Sequence, residues 1–169
     1  MAHPFHKRLL KEYRDLSTAP PPGITLVEHD DSLERFVLRV LVPDNPLYPS
    51  HHAYHLLIRI TPDYPVDLPQ VTFIVYQQLD DDDDDDTTTT NKEARVPVHP
   101  HVYLNGHICL NLLGDDWTPA CLLVLTAVLI QLMLASNHLR ERPSDDDAYC
   151  RHAPHNPKLT LWAYHDDTV

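Results

Sequence analysis

Long apolar runs are missing from this chain. The nearest approach, Ala120 to Ala135, is sixteen residues interrupted by Thr126 and Gln131, short of the roughly 20 that a bilayer span needs. It is expected to form a buried central helix, and no membrane partner is expected. Cysteine is scarce and odd in number, three in 169 residues, with no secretory-type leader ahead of them. That pattern argues against a disulfide framework and for a reducing compartment, cytoplasm or nucleus. Positive charge is short as well: Lys and Arg total 13 against 25 Asp and Glu, a formal net charge of -12. Such a balance argues against nonspecific binding to nucleic acid or anionic membrane, while basic partner proteins stay open. With 169 residues the chain can bury one core carrying helices and strands but not two ordinary ones, so residues 1–169 read as one domain.

Pro4 to Ser17 sets Phe5, Leu9, Leu10, Tyr13 and Leu16 at near-helical spacing, with Lys7, Arg8, Lys11 and Arg14 left for an exposed basic face. Pro20-Pro21-Pro22-Gly23 ends that helix. Four candidate strands follow, Ile24 to Val27, Arg35 to Val42, Tyr54 to Ile60 and Val71 to Tyr76, separated by Asp-, Pro- and His-bearing turns. Consecutive short strands predict an antiparallel meander, and the order helix, four strands, loop, buried helix predicts an α+β fold with helices on one side of the sheet. The tail from 143 to 169 is expected to be short and irregular, since Pro143, Pro154 and Pro157 break any long helix. Between the fourth strand and the loop lies LDDDDDDDTTTTNKEA, residues 79–94. Seven consecutive aspartates repel one another and bury nothing, which predicts a solvated, disordered insertion; an acidic arm steering a basic partner is the alternative. Consecutive aspartates lack the alternating ligands and glycine of a calcium loop.

The densest chemistry lies in HPHVYLNGHICLNLLGDDWTPA, from His99 to Ala120. Val96 to Pro100 carries two prolines, which forbid helix and favour an extended or turning backbone. Asn105-Gly106 then offers a turn, because glycine takes positive φ without steric cost. Cys109 follows between Ile108 and Leu110, in a short apolar segment beside a loop. A thiol there is held rigidly yet stays within reach of a partner, as a nucleophile must be; the bland alternative is a small buried hydrophobe. His99, His101, His107 and Cys109 fall within eleven residues. Structural zinc sites join two separated ligand pairs, and no second half accompanies this cluster, so no metal is expected. A Cys-His hydrolase would need a histidine oriented by a third group, and no hydrolase signature surrounds Cys109.

His99-Pro100, Asn105-Gly106, Cys109-Leu110 and Trp117-Thr118-Pro119-Ala120 resemble, without a gap, the active-site stretch of the ubiquitin-conjugating enzymes, which reads His-Pro-Asn, Asn-Gly, Cys-Leu and Trp-Ser/Thr-Pro-Ala. Upstream, Tyr64-Pro65 with Pro69-Gln70-Val71-Thr72-Phe73 is similar to that family's Tyr-Pro-Phe-x-x-Pro-x-Val-x-Phe segment, and Lys7 to Leu16 is similar to its first helix. The likeness is greatest toward the W-type branch, through PVHPHVY, PPPG and the tail NPKLTLWAYHDDT from Asn156 to Thr168. The resemblance implies the ubiquitin-conjugating fold, a thioester of ubiquitin on Cys109, and, for the W type, transfer to a substrate's N-terminal α-amino group. It implies ubiquitin, the activating enzyme, RING-type or related ligases and substrate N-termini as partners. It implies no bound cofactor, ATP being used by the upstream activating enzyme. A lysine-directed enzyme and a catalytically silent binding module of the same fold are the alternatives; silent relatives lack the cysteine.

For ligase contact the resemblance implies Lys7 and Lys11 on the first helix, Tyr64, Pro65 and Val66 in one loop, and Trp117, Pro119 and Ala120 in another. Val66 replaces the usual phenylalanine, Asp67 adds an acidic charge, and Trp117 reads equally well as packing under its loop. His99 is implied to brace the active-site loop. His101 stands where most members have asparagine; a neutral histidine can present one N–H to an oxyanion, a contribution of about 2.7 to 4 kcal/mol for a well-placed donor, or can simply pack. Asn111 stands where many lysine-directed members carry an acid. A lysine amine of pKa ~10.4 is about 0.1% neutral near pH ~7.4, whereas an α-amine of ~7.8 is roughly 30% neutral, so a site short of acidic help favours N-termini. Asp115 and Asp116 are candidate compensating acids or a solvated loop face. Cys121 is expected to be buried, and Cys150 to have its pKa lowered by Arg151. Trp162 and Tyr164 are candidates to receive substrate N-termini or to pack on the core. For the family's acidic gate residue, Asn156 and Asp145 to Asp147 are the candidates.

Overall fold

The computed structural model describes residues 2–49, 51–76 and 96–160. The acidic insertion 79–94 and the tail candidates Trp162 and Tyr164 lie outside the described residues.

His6–Thr18 forms α1, burying Leu9, Glu12 and Leu16, one stripe of a 3.6-residue period. Ile24–His29 (β1), Arg35–Val40 (β2), Tyr54–Arg59 (β3) and Gln70–Ile74 (β4) pair antiparallel in chain order, the expected meander. Strand ends shift by a residue or two from those expected; a bulge between Leu26 and Glu28 carries β1 on to His29. The registers Phe36 with Ile58, Leu38 with Leu56, and Val40 with Tyr54 put alternate side chains on one face. Phe73 and Val71 continue that face opposite Leu56 and Ile58. None of these eight residues is more than 4% exposed, so one side of the sheet makes the core.

Leu123–Ala135 forms α2, which packs with α1 and β2. The two polar residues that interrupt its apolar run serve backbone carbonyls. Thr126 donates to Leu122 O at 3.0 Å, and Gln131 Nε2 donates to Pro22 O and Leu41 O at 3.0 and 2.8 Å. The expected buried central helix is buried along one face. Leu122, Leu125 and Leu132 are 40%, 44% and 54% exposed, because only the face carrying Leu123, Ala127, Ile130 and Leu134 meets the core. The tail is also more regular than expected. Asp146–His152 forms α3 between Pro143 and Pro154, and Pro157–Leu159 a 3-10 turn. No helix among the described residues is long and apolar enough to cross a membrane.

Candidate active site

β4 is an edge strand, and the loop carrying Cys109 closes that edge. The turn at Asn105-Gly106 lies against it: Phe73 N–H donates to Gly106 O at 2.9 Å, and Thr72 bridges His107. The chain then doubles back on itself, Val102 pairing with both His99 and Ile108. Cys109 emerges half-buried, its N–H donated to His101 O at 2.8 Å. The thiol therefore sits at the end of a fixed backbone beside solvent. None of the three cysteines is in a disulfide.

His99 is 5% exposed. Its Nδ1 accepts the His101 N–H at 2.9 Å, and its ring also bonds the backbone of Met133 in α2. Burial, with neighbouring His101 adding to it, pushes its pKa down to about 4 against the opposing pull of that backbone bond, so the ring is neutral and joins the loop to α2. His101 lies with its ring centroid 5.4 Å from that of His99 and offers its carbonyl to Cys109. His107 is buried as well; its Nδ1 meets the Tyr149 hydroxyl at 2.7 Å. Burial lowers its pKa, opposed by a bond to the backbone of His155. Among the described residues no group of three or more His, Cys, Asp or Glu is gathered closely enough to hold a metal ion.

Asn111 opens the 3-10 turn Asn111–Leu113. Its Oδ1 is buried with no hydrogen-bond partner among the described residues. Asp115 and Asp116 are exposed in the following loop. Of the acidic-gate candidates, Asp145 and Asp146 reach the site. Asp145 Oδ1 accepts the Tyr103 hydroxyl at 3.0 Å, and Asp146 Oδ1 accepts the Leu104 N–H at 2.9 Å. Asn156 instead caps the 3-10 turn by accepting the Lys158 N–H. Tyr103 and Tyr149 stack at 4.0 Å. Burial and the Asp145 bond both raise the Tyr103 pKa, and Cys109 adds to that shift, as it does for Tyr149; both phenols lie within electrostatic reach of the thiol. Tyr103, His107 and Tyr149 show no local sequence signal of this arrangement, since α3 must fold back to create it. Cys150 corrects the expectation of a lowered pKa: burial raises it and the Asp146 carboxylate adds to that, Arg151 having no part.

The ligase-contact candidates fall into one region. Lys7 and Lys11 are exposed on α1. Val66 is 69% exposed, beside buried Tyr64 and Pro65, and Pro119 and Ala120 are exposed. Trp117 joins the two loops, its Nε1 donating to Pro65 O at 3.0 Å and its ring 6.2 Å from that of Tyr64. Asp67 is paired with Lys158 of the tail. Arg8 corrects the basic-face expectation, because it turns inward. It pairs with Glu12 at 2.8 Å, donates to Pro119 O and, at 2.6 Å, to Cys121 O, and lies 5.2 Å over the Tyr64 ring. Cys121 is buried as expected, at 9%.

A helix, a four-stranded meander, an edge-closing cysteine loop and a crossing helix define a protein that presents one thiol on a rigid platform. The family model for ubiquitin-conjugating enzymes matches residues 8–159, and the chain belongs to that family of enzymes, which work with ubiquitin, activating enzymes and ligases. It is 36% identical over 170 residues to a probable ubiquitin-conjugating enzyme E2 W of Dictyostelium discoideum, with all of both chains covered. It is also 36% identical to a probable ubiquitin-conjugating enzyme E2 W-A of Danio rerio, covering 97% of each. Among solved structures it is similar to the ubiquitin-conjugating enzyme E2 UbcA1 of Agrocybe aegerita, with TM-score 0.74, 39% identity, and 90% and 97% of the two chains covered.

Proposed function

We propose that Cys109 accepts ubiquitin as a thioester from the activating enzyme and passes it to the α-amino group at a substrate's N-terminus. The observation that carries the acceptor preference is Asn111. An amide at this position cannot take the proton of an incoming amine, and its Oδ1 is buried. An α-amine of pKa ~7.8 arrives substantially neutral near pH ~7.4, whereas a lysine of ~10.4 does not. In this reading His101 supports the loop and the oxyanion, and His99 holds the loop to α2. The ligase docks on Lys7, Lys11, Val66, Pro119 and Ala120, with Tyr64, Pro65 and Trp117 bracing the two loops beneath.

The first test is a nonreducing gel of the protein with ubiquitin, activating enzyme and ATP. A reductant-sensitive adduct is expected, absent in Cys109→Ala; no adduct with active controls overturns the carrier role. The purified thioester is then offered two peptides, one with a free N-terminus and no lysine, one Nα-acetylated with a single lysine. Discharge to the first is expected to be at least about tenfold faster, and equal rates overturn the preference. Lysine-directed transfer is favoured by one observation, the Asp145 carboxylate at the Tyr103 hydroxyl. On that alternative Asp145→Asn would selectively slow transfer to the lysine peptide.

A further inference from the structure

We propose that Arg142 is a positioning residue for the Cys109 site, its guanidinium setting the loop from which the cysteine backbone hangs. The inference rests on the reading of Cys109 as thioester carrier. Residues 96–103 approach the site with prolines at 97 and 100, which supply carbonyls but no N–H. Side chains from distant segments fill the deficit. Tyr48 donates its hydroxyl to Val98 O at 2.7 Å and itself accepts Asn137 Nδ2 at 2.7 Å. Arg142 donates Nη2 to Val96 O at 3.0 Å, and Nη1 to Pro97 O and Val102 O, each at 3.2 Å.

One side chain thus pins the entry and the exit of the loop together. Val102 is fully buried, and it sits between the two bonds that fix the catalytic backbone: His101 O receives Cys109 N–H at 2.8 Å, and Tyr103 N–H meets His107 O at 2.9 Å. A displacement at Val102 O passes directly to His101 and so to Cys109. The planar fork reaches the three carbonyls from two nitrogens held in a fixed geometry. A lysine would bring a single nitrogen, and an apolar residue would leave buried acceptors unmet. Arg142 bonds backbone carbonyls and not the thiol, so it acts through the loop. A shift of about 1 Å at a reacting centre costs on the order of a hundredfold in rate, which makes the clamp consequential for turnover.

Full-length Arg142→Lys and Arg142→Met test this in two measurements. In single-turnover discharge of the Cys109 thioester to a peptide with a free α-amine, the rate at saturating peptide is expected to fall about tenfold or more in Arg142→Met and less in Arg142→Lys. The half-saturating peptide concentration is expected to stay unchanged. In amide hydrogen exchange, Tyr103 and Cys109 are expected to exchange faster while β2 and β3 amides keep wild-type rates. Wild-type discharge in a folded variant overturns the proposal, as does a loss confined to half-saturation or exchange that rises equally across the sheet. If Arg142→Met does not fold, Arg142→Lys decides. Exchange needs no charged enzyme, so absence of a wild-type thioester would overturn the carrier reading while leaving the clamp to be judged on Cys109 exchange.

Discussion

At Gly106 the backbone has φ +89°, and a Cβ there would lie 1.9 Å from the Phe73 carbonyl oxygen. A side chain is therefore excluded twice, by its own backbone conformation and by β4. Gly106→Ala has to break the Phe73 N–H bond to Gly106 O and lift the turn off the sheet edge. It is expected to destabilise by about 3 kcal/mol, seen as a lower urea midpoint at unchanged slope; a wild-type midpoint would mean that turn and strand part at no cost. This position was readable beforehand because an Asn-Gly turn depends on its own two residues. Arg8 and Cys150 depart from their local pattern for the opposite reason. Arg8 has the spacing of an exposed face, but buried Glu12 one turn on, the loop at Tyr64 and the segment 119–121, the last two distant in sequence, draw it inward. Cys150 neighbours Arg151 in sequence but packs against Asp146 in space.

Glu12 joins three elements. Its Oε1 accepts the Tyr64 hydroxyl at 2.6 Å and Arg8 Nε at 2.8 Å, while Oε2 accepts the Leu123 N–H at 2.9 Å. A carboxylate at that helix start also meets the positive end of the α2 dipole. Glu12 is 2% exposed, so Glu12→Ala takes the counter-ion from Arg8, which keeps its two carbonyl acceptors, and removes the acceptor of a buried phenol and of a helix N–H. A loss of about 3 kcal/mol is expected, with Glu12→Gln retaining part of it through the Leu123 bond. Thermal unfolding of the two variants ranks them, and equal losses would show that charge, not the cap, dominates. Element types followed from local period: two for the strands, near 3.6 for α1. α3 did not follow, because seven residues with acids at the start have little helical drive alone. It is held by Tyr149 on Tyr103 and by its acids on the loop, contacts that exist only after the sheet and the loop are in place.

Across the whole molecule, the order of elements and the position of the thiol were legible, since each rests on a contiguous segment. The means of holding the loop was not, because α2, Tyr48 and Arg142 reach it from elsewhere in the chain. His99 turns that long-range packing into acid sensitivity. Burial holds its native pKa at about 4, against about 6.5 in the unfolded chain, so as pH falls the unfolded state takes up the proton first. Its stabilisation is fully present above about pH 6.5 and drains as pH drops toward 4, by up to on the order of 3 kcal/mol. His107 shifts in the same direction. Urea unfolding at about pH 7.5, 6 and 5 is expected to show stability falling steadily with acid. His99→Asn is expected to be less stable at neutral pH but flatter in its dependence, since the buried ring that refuses the proton is gone. A variant as steep as wild type would assign the acid response to His107 and the carboxylates instead, and would detach the loop's bond to α2 from the stability of the fold.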